Sequence, residues 1–374
     1  MKIFIRVLAI AAALVAGVSF AADVQFQTGG QYDGWKDGNN NQGSQAYVPL
    51  QVKAQHKQVS VGVLTGYAYT YYDPSAGDSQ SLSQMLDTKV NFAYEIMEKL
   101  PVDILLGLDF NFPSGKTALK QQDLILMMDP DLVTITQLGE GYNINPTLTI
   151  AKEWSNWVAG LGFGYVWRGK YDYSQDLRNY DPGNIFNTTA EVRFDFLPNW
   201  SARLFGNYTW YEKDQVESSD FYREGDFFLA GLGLQHTQTK WAASLTLRSL
   251  FRNKSKFEEQ AGTLATEEQN SHGIEWIGDL AFKYFVNDQT TLQSYLQGLL
   301  VQDNGYPSDS SHFIGKRQKL SLGIGASRKL NQHLEVVLLV KGFVMHDDEA
   351  RYPEYRSERT YQGFSAGGQL TGRF

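Results

Sequence analysis

The amino-acid sequence predicts an all-β fold, a transmembrane antiparallel β-barrel of about 16 strands. Segments of about ten residues alternate between apolar and polar side chains, and the connections between them alternate between short and long. Aromatic residues also collect near the ends of the segments. In a bacterial barrel, lipid-facing and lumen-facing side chains alternate along each strand, while tight turns at one end oppose long loops at the other.

The C-terminal segment has the clearest alternation. The even-numbered residues of 364–374 are apolar or small, whereas the odd-numbered residues are mostly polar. A period of two places successive side chains on opposite faces of a strand, so this segment has one apolar and one polar face. The same alternation recurs in three upstream segments, which begin at Trp200, Trp276 and Leu334.

Sixteen segments follow this pattern, with ends defined to about two to four residues. The predicted strands are 23–35, 45–56, 58–72, 87–99, 102–112, 143–154, 157–170, 185–197, 200–212, 224–237, 240–252, 273–286, 290–302, 316–329, 333–346 and 360–374. An even number fits a bacterial single-chain barrel with both termini on the periplasmic side.

The connections between these strands support the count independently. Tight turns, such as Ser155-Asn156 and Pro198-Asn199, alternate with long polar stretches. The long stretches include 73–86, 113–142, 171–184, 212–223, 253–272, 303–315 and 347–359. One tight end and one end with long loops are typical of a barrel in an outer membrane.

Large aromatic residues mark both ends of the predicted wall. Those beside the tight turns are Trp154, Trp157, Trp200 and Trp241. Those near the long loops are Tyr67, Tyr69, Tyr71, Trp167 and Trp210. Two aromatic girdles of this kind are typical of the two membrane interfaces. A soluble all-β protein is the alternative, but strand after strand would then need a partner sheet to cover its apolar face.

The first 21 residues predict a signal peptide. Two basic residues precede the apolar run from Val7 to Val18, and Ser19-Phe20-Ala21 has small residues at the −3 and −1 positions. This three-part pattern is typical of a secretory signal and is too short for a spanning helix. The sequence therefore divides into a signal peptide, 1–21, and an outer-membrane β-barrel, 22–374, and the predicted location is a bacterial outer membrane.

Composition restricts the classes of partner. The chain has no cysteine, so an exported form has to be stable without disulfides, as a closed hydrogen-bonded barrel can be. Its net charge of −8 argues against a nucleic-acid partner, which would need a basic face. The ending at Phe374 resembles the C-terminal signal that outer-membrane proteins present to the barrel-insertion machinery. The expected partners are therefore outer-membrane lipids, that machinery and a small-molecule solute; the sequence leaves a homo-oligomer open.

Three further stretches carry a family resemblance. They are Leu106 to Lys116, which leaves a strand through Pro113-Ser114-Gly115, then Gly139 to Leu148, and the Gly-rich strand from Gly160 to Tyr173. Together they resemble the MetA-pathway phenol-degradation family of outer-membrane β-barrel transporters, most clearly over roughly residues 90–300. The resemblance implies uptake of aromatic or other small hydrophobic compounds, and it brings no catalytic residues.

The motifs that could carry catalysis or bind a metal are incomplete. Ser114-Gly115-Lys116-Thr117 matches the end of a phosphate-binding loop, but Phe110 stands where the first Gly belongs. The run His346-Asp347-Asp348-Glu349 could ligate a cation, although a hydrated acidic loop is its commoner meaning. No Gly-x-Ser-x-Gly elbow of a hydrolase is present. We therefore expect a protein that is not an enzyme, without catalytic residues, a metal site or a cofactor.

Charged residues of both signs share the inward parity of the predicted strands. The basic ones predicted to form the lumen wall are Arg168, Arg193, Arg203, Arg248, Arg252, Arg317 and Lys319. Mixed charges inside a wall of this size indicate a solvated channel, and they can also pair across strands and stabilise the wall. Four of them, Arg248, Arg252, Arg317 and Lys319, lie towards the loop ends and could attract anionic or electron-rich solutes.

The longest connection, from Pro113 to Tyr142, predicts the pore constriction. Five consecutive apolar residues in it would not remain in water, because burying each stabilises by about 1.5–3 kcal/mol. The segment could fold into the pore, dock on other loops as a lid, or contact another subunit. The constriction candidates are Leu124, Ile125, Leu126, Met127, Met128, Asp129 and Asp131.

The sequence as a whole predicts a porin-like channel for passive uptake of small molecules. The alternative is a structural barrel or conduit that houses a periplasmic partner for export or electron transfer. The long apolar loop discriminates between them, because a pore folds this loop inward while a conduit keeps its lumen open.

Overall fold

The computed structural model describes residues 23–374, so the predicted signal peptide lies outside the described residues. Among these residues, no helix combines the length and the apolar character needed to cross a membrane. The elements are β1 (Asp23–Asp37), β2 (Gln42–His56), β3 (Val59–Asp73), β4 (Gln80–Met85), β5 (Thr88–Ile96), β6 (Asp103–Phe112), α1 (Gln121–Leu124), β7 (Asn143–Trp154), β8 (Trp157–Arg168), β9 (Tyr180–Asp181), β10 (Ile185–Leu197), β11 (Trp200–Tyr211), β12 (Asp214–Val216), β13 (Ser219–Arg223), β14 (Phe227–Thr237), β15 (Trp241–Arg252), β16 (Lys256–Gln260), β17 (Thr263–Thr266), β18 (Glu275–Phe285), β19 (Thr290–Val301), β20 (Arg317–Lys329), β21 (Leu334–Asp347) and β22 (Arg359–Arg373).

Sixteen antiparallel wall positions close into a ring. The strand β1 pairs with both β2 and β22, which joins the two ends of the sheet. Both β4 and β5 pair with β3 and share one wall position, interrupted at Leu86 and Asp87. Onward from there the wall runs through β6, β7, β8, β10, β11, β14, β15, β18, β19, β20, β21 and β22. The predicted all-β fold and the count of sixteen are confirmed.

The outer face of the wall is apolar on strand after strand. On β20, Leu320 and Ile324 are 59% and 65% exposed, whereas the alternate residues Lys319 and Ser321 are buried inside the ring. Exposed aliphatic side chains also occupy the outward positions of other strands around the barrel. Among them are Leu204, Leu232, Leu247, Leu280, Leu296 and Leu338. A continuous apolar surface of this kind is suited to lipid, which solvates it without a partner sheet.

The predicted strand ends agree closely with the observed ones. Every predicted segment matches a wall strand, and the ends differ by at most three residues, at Gln42, Ile96 and Phe227. The agreement follows from the physical cause of the pattern, since lipid on one side and water on the other impose a period of two along the whole wall.

Six short strands lie where the sequence predicted irregular loops. One, β4, continues the wall beyond β5 along β3. The other five form a second sheet in the order β17-β16-β13-β12-β9, in the connections that follow β8, β11 and β15. These five strands have two to five residues each and lie outside the wall, so they are too short to develop the alternation that identifies the wall strands.

Candidate functional site: the third loop inside the barrel

The connection between β6 and β7, residues 113–142, folds into the barrel; we call it the third loop. It contacts Trp35 of β1 and Arg317 of β20, and β20 stands half-way round the ring from β7. Both side chains lie on the inward parity of their strands, opposite to the exposed Tyr32 and Leu320. The third loop therefore extends across the lumen.

Asp87 holds both ends of the third loop. Its buried carboxylate accepts the backbone N–H of Gly115 at 2.8 Å and that of Glu140 at 2.7 Å. Asn111 Nδ2 donates to the same carboxylate at 2.7 Å. A side chain at position 115 would collide with the backbone of Leu138, so glycine permits the two stems to approach closely. The break between β4 and β5 thus provides the anchor of the loop.

The first part of the third loop contains α1 and one ion pair. Lys116 Nζ lies 2.6 Å from Asp123 Oδ2, and the backbone N–H of Lys120 donates to that oxygen at 3.0 Å. Burial alone would raise the pKa of Asp123, but these hydrogen bonds outweigh it and hold the pKa below its ordinary value. At neutral pH the carboxylate is therefore charged and fixes this turn.

The middle of the third loop forms an apolar core with the wall. Met128 lies against Trp35, whose indole Nε1 is 3.1 Å from the sulfur. A side chain at Gly43 would collide with both, so glycine there admits this contact. The buried cluster consists of Trp35, Met128, Leu132, Val133, Phe343, Met345 and Tyr361. Its members come from β1, β21, β22 and the loop, so one side of the lumen is packed as a protein core.

The five apolar constriction candidates have different environments. Leu126 and Met128 are buried, Leu124 and Met127 are half-buried, and Ile125 is 48% exposed. The hydroxyl of Tyr173, from the next long loop, lies 3.8 Å from the sulfur of Met127. The run therefore serves first to pack the loop, and Ile125 has the largest exposed surface of the five.

The acidic candidates bind the opposite wall through Arg317. Its guanidinium lies 2.7 Å from Asp129 Oδ2 and 2.9 Å from Asp131 Oδ2. It also forms a bidentate pair with Asp347, at 2.7 and 2.9 Å. The ammonium of Lys319 contacts the backbone carbonyl of Asp131 and lies over the ring of Phe343, 4.7 Å from its centroid. Bidentate charged contacts of this geometry are among the stronger polar interactions in proteins.

The last part of the third loop is fixed to β1 and β2. Asp33 accepts the N–H of Thr134 at 2.9 Å and its hydroxyl at 2.7 Å. The amide of Gln45 pairs with the backbone of Ile135 in both directions, at 2.7 and 2.8 Å. Asp33 and Gln45 are almost fully buried, so these hydrogen bonds are protected from water.

A cavity of about 580 Å³ lies between the tip of the third loop and the wall. It is lined by Asp129 and Asp131 from the loop and by residues of β18 to β22 from the wall. The charged wall residues are Glu275, Arg317, Asp347 and Arg359, and the aliphatic ones are Ile277, Leu299 and Val301. The cavity therefore offers a small solute both charged groups and an apolar surface beside the loop.

The other predicted lumen residues pair within the wall. Arg193 forms a bidentate pair with Asp195 at 3.1 Å, and Arg203 lies 4.0 Å from Glu191. These four side chains are 43–53% exposed, as expected for groups that face water. Nearer the loops, Arg248 pairs with Asp279 at 2.6 Å, Arg252 forms an ion pair with Glu224, and Arg168 donates to the carbonyl of Gly183 at 3.3 Å. Arg317 and Lys319 are thus the predicted wall residues that contact the loop tip.

Several residues of the site were missed by sequence reasoning. Asp33, Gln45 and Asp87 read as ordinary polar residues of a lumen face, because their role depends on the path of a distant loop. Leu132 and Val133 had a usable signal, since an apolar pair follows Asp129-Pro130-Asp131 directly. In the acidic run at 347–349, Asp347 pairs with Arg317 and Glu349 with Arg351, and His346 Nε2 lies 3.4 Å from Asp348.

Comparisons with known proteins find similar barrels only among solved structures, because no family model and no curated sequence matches. The toluene transporter TodX of Pseudomonas putida has 8% identity and a TM-score of 0.43, covering 97% of this chain and 92% of TodX. OccAB1 of Acinetobacter baumannii has 8% identity and a TM-score of 0.49, covering 94% and 96%. An anion-selective porin of Comamonas acidovorans has 12% identity and a TM-score of 0.43, covering 95% and 99%. Values this low assign neither a family nor a solute to this chain.

Proposed function

We propose that this protein is a channel of the bacterial outer membrane that passes small molecules by diffusion, with the third loop as its constriction. The apolar outer face of a closed ring supports the location, since lipid is the solvent that such a surface needs. The observation that carries the function is the contact of Asp129 and Asp131 with Arg317 across the lumen. A loop held there narrows the path and places side chains where a solute passes.

Aromatic or other small hydrophobic compounds are the proposed solutes. Tyrosines gather where the third loop meets the second sheet: Tyr171 and Tyr180 have ring centroids 5.7 Å apart, and Tyr173 lies 6.1 Å from Tyr180. Burial raises the pKa of Tyr171 to about 12, so its ring stays neutral over the physiological range. Neutral half-buried rings beside the adaptable Met127 form a surface that suits an aromatic solute. The resemblance to the MetA-pathway phenol-degradation family agrees with this class, and kinship with that family is part of the proposal.

The position of the third loop also argues against the conduit alternative. A barrel that houses a protein partner needs a free lumen, whereas here one side of the lumen is filled by the cluster around Met128. No cofactor or energy coupling enters the proposal. Recognition of Phe374 by the insertion machinery and assembly into a homo-oligomer stay predictions.

Reconstitution in a planar bilayer tests the channel. Deleting residues 119–134 removes the loop tip while leaving the Asp87 anchor, and should raise single-channel conductance severalfold and weaken the discrimination between aromatic and sugar-like solutes. A matched control shortens the hairpin of β16 and β17 by residues 259–263, which lie outside the lumen, and should leave both properties unchanged. Equal conductance and equal solute preference in the parent and the 119–134 deletion would place the loop outside the solute path and favour the conduit.

A further inference from the structure

A second cavity, of about 870 Å³, lies where the wall meets the second sheet. Trp167 of β8 and Trp210 of β11 line it, and both occupy the lipid-facing parity of their strands, shared with the exposed Leu161 and Leu204. The cavity therefore opens on the outside of the barrel, at the girdle next to the long loops. We call it the outer basic cavity.

Two cations of the second sheet, Arg223 and Lys256, line the outer basic cavity. The guanidinium of Arg223 lies over the ring of Trp210, 5.6 Å from its centroid. Lys256 is the register partner of Arg223, so the two side chains share one face of the sheet. Tyr222 and Phe257, one residue along on each strand, contact each other on the other face with their ring centroids 5.2 Å apart. Arg223 and Lys256 thus lie on the face opposite the Tyr222–Phe257 pair, and Arg223 reaches the lipid-facing wall at Trp210.

Five cations line the outer basic cavity, against two carboxylates. The cations are Arg168, Lys170, Lys213, Arg223 and Lys256, and the carboxylates are Asp181 and Glu212. Asp220 and Asp226, beside the cavity, pair with Lys213 at 2.5 Å and with Arg223 at 2.9 Å. Lys170 lies 3.2 Å from Asp181, so three of the five cations have a carboxylate partner. Arg168, which is on the inward parity of β8, and Lys256 form no ion pair within residues 23–374, so Lys256 is the cation on the outer side that is left to meet an anionic ligand.

We propose that the outer basic cavity binds a phosphate group on the headgroup of an outer-leaflet glycolipid. The two indoles are of the amphipathic kind that lies at the level of lipid headgroups, and Arg223 stands over one of them, Trp210, while lysines line the same cavity. Cations at a membrane surface attract anionic headgroups, and a volume of this size admits a phosphorylated sugar. A free phosphate would have no use for the two indoles on the lipid-facing parity, so the geometry favours a lipid.

The test measures binding of bis-phosphorylated lipid A to the full-length barrel in nonionic detergent by native mass spectrometry. The variant Lys213→Gln/Lys256→Gln should bind lipid A about 25-fold more weakly, because removing each cation weakens binding about fivefold and the two effects multiply. Lys213→Arg/Lys256→Arg keeps the charges and should restore binding. The control Lys99→Gln/Lys240→Gln removes two exposed cations at the tight-turn end and should stay within about twofold of the parent. Unchanged single-channel conductance in all variants shows that the barrel is folded, and makes the test independent of the solute.

Three results would overturn the proposal. The first is equal binding by the parent and the Lys213→Gln/Lys256→Gln variant. The second is equal binding of lipid A and of the same lipid without its phosphates. The third is complete displacement of lipid A by millimolar inorganic phosphate, which would assign the cavity to a free anion.

Discussion

Two parts of the lumen wall differ in how far their inward side chains are buried, although both belong to one ring of similar strands. In the half formed by β1–β3 and β20–β22, which we call the packed half, the inward residues Trp35, Phe343 and Met345 are buried against the third loop. In the half formed by β8, β10, β11, β14 and β15, which we call the open half, inward residues such as Arg203 and Glu191 remain half exposed.

This difference shows that the interior of a wide barrel is wet by default and becomes a core only where a loop covers it. The packed half has a matching set of apolar side chains on the wall and on the loop, joined by Arg317 and framed by Asp33 and Gln45. The open half has charges that pair along the wall and need no cover. In the proposed channel, the packed half therefore stabilises the barrel, and the open half leaves room for a solute.

The largest expected effect concerns the packed half. Met345 is fully buried, so Met345→Ala should lower the free energy of unfolding by about 2–5 kcal/mol, because the cavity left behind cannot fill with water favourably. Thr246→Ala, at a half-exposed inward position of the open half, should change it by less than about 0.5 kcal/mol. Urea unfolding of the reconstituted barrel measures both. Equal losses would mean that the two halves do not differ.

A second test separates the inward from the lipid-facing side of the packed half. On β21, Leu338 is 58% exposed to the outside, while Leu339 points inward. Leu338→Arg should cost about 2–4 kcal/mol near the middle of the bilayer, against little for Leu339→Arg, whose charge can reach water in the lumen. Heat-resistant migration of the folded barrel on a gel reports the difference. If both variants lose heat-resistant migration equally, the inward and outward assignments are wrong, and so is the set of lumen-wall residues derived from them.

Ion selectivity gives a third, smaller contrast. Arg317→Ser leaves Asp129, Asp131 and Asp347 without their shared cation, whereas Arg203→Ser leaves the exposed Glu191. The first variant should shift the reversal potential towards cations on the order of 10 mV in a tenfold salt gradient, where full selectivity gives about 59 mV. The Arg203→Ser variant should shift the reversal potential by less.

The sequence also predicts that the parent channel prefers anions. This preference should decline in Arg248→Ser/Arg317→Ser, and a strong cation preference in the parent would contradict the prediction.

The smallest effect is a pH dependence of the loop. The pKa of Asp123 in the folded protein is below its ordinary value of 3.8, so its ion pair with Lys116 contributes full stability above that pH. This contribution is lost as the pH falls through the lowered pKa. Channel noise should therefore rise in strongly acidic solution, and Asp123→Asn should show the same noise at neutral pH. If the Asp123→Asn channel shows no more noise than the parent at neutral pH, the ion pair does not restrain the loop.

The wall was predictable because each strand carries its own signal. Lipid outside and water inside act on every residue from Leu320 to Ile324, whichever strand lies next to it. The inward path of the third loop was indicated by its apolar run, but its partners were not. Asp33 and Gln45 are polar and inward like their neighbours, and only the fold shows that they bind the loop backbone. The second sheet escaped because its strands are too short to have a period.

The two attachments of the third loop have a mechanical consequence. One end is tied to the wall at Asp87, and the tip is tied at Arg317 of β20, six wall positions away by way of β3, β2, β1, β22 and β21. A hydrogen-bonded hoop without a cross-member can flatten into an ellipse at small cost, because its strands tolerate a range of angles to their neighbours. Here the loop acts as a strut across the packed half. Lateral pressure then deforms the hoop mainly in the open half, which this strut does not cross.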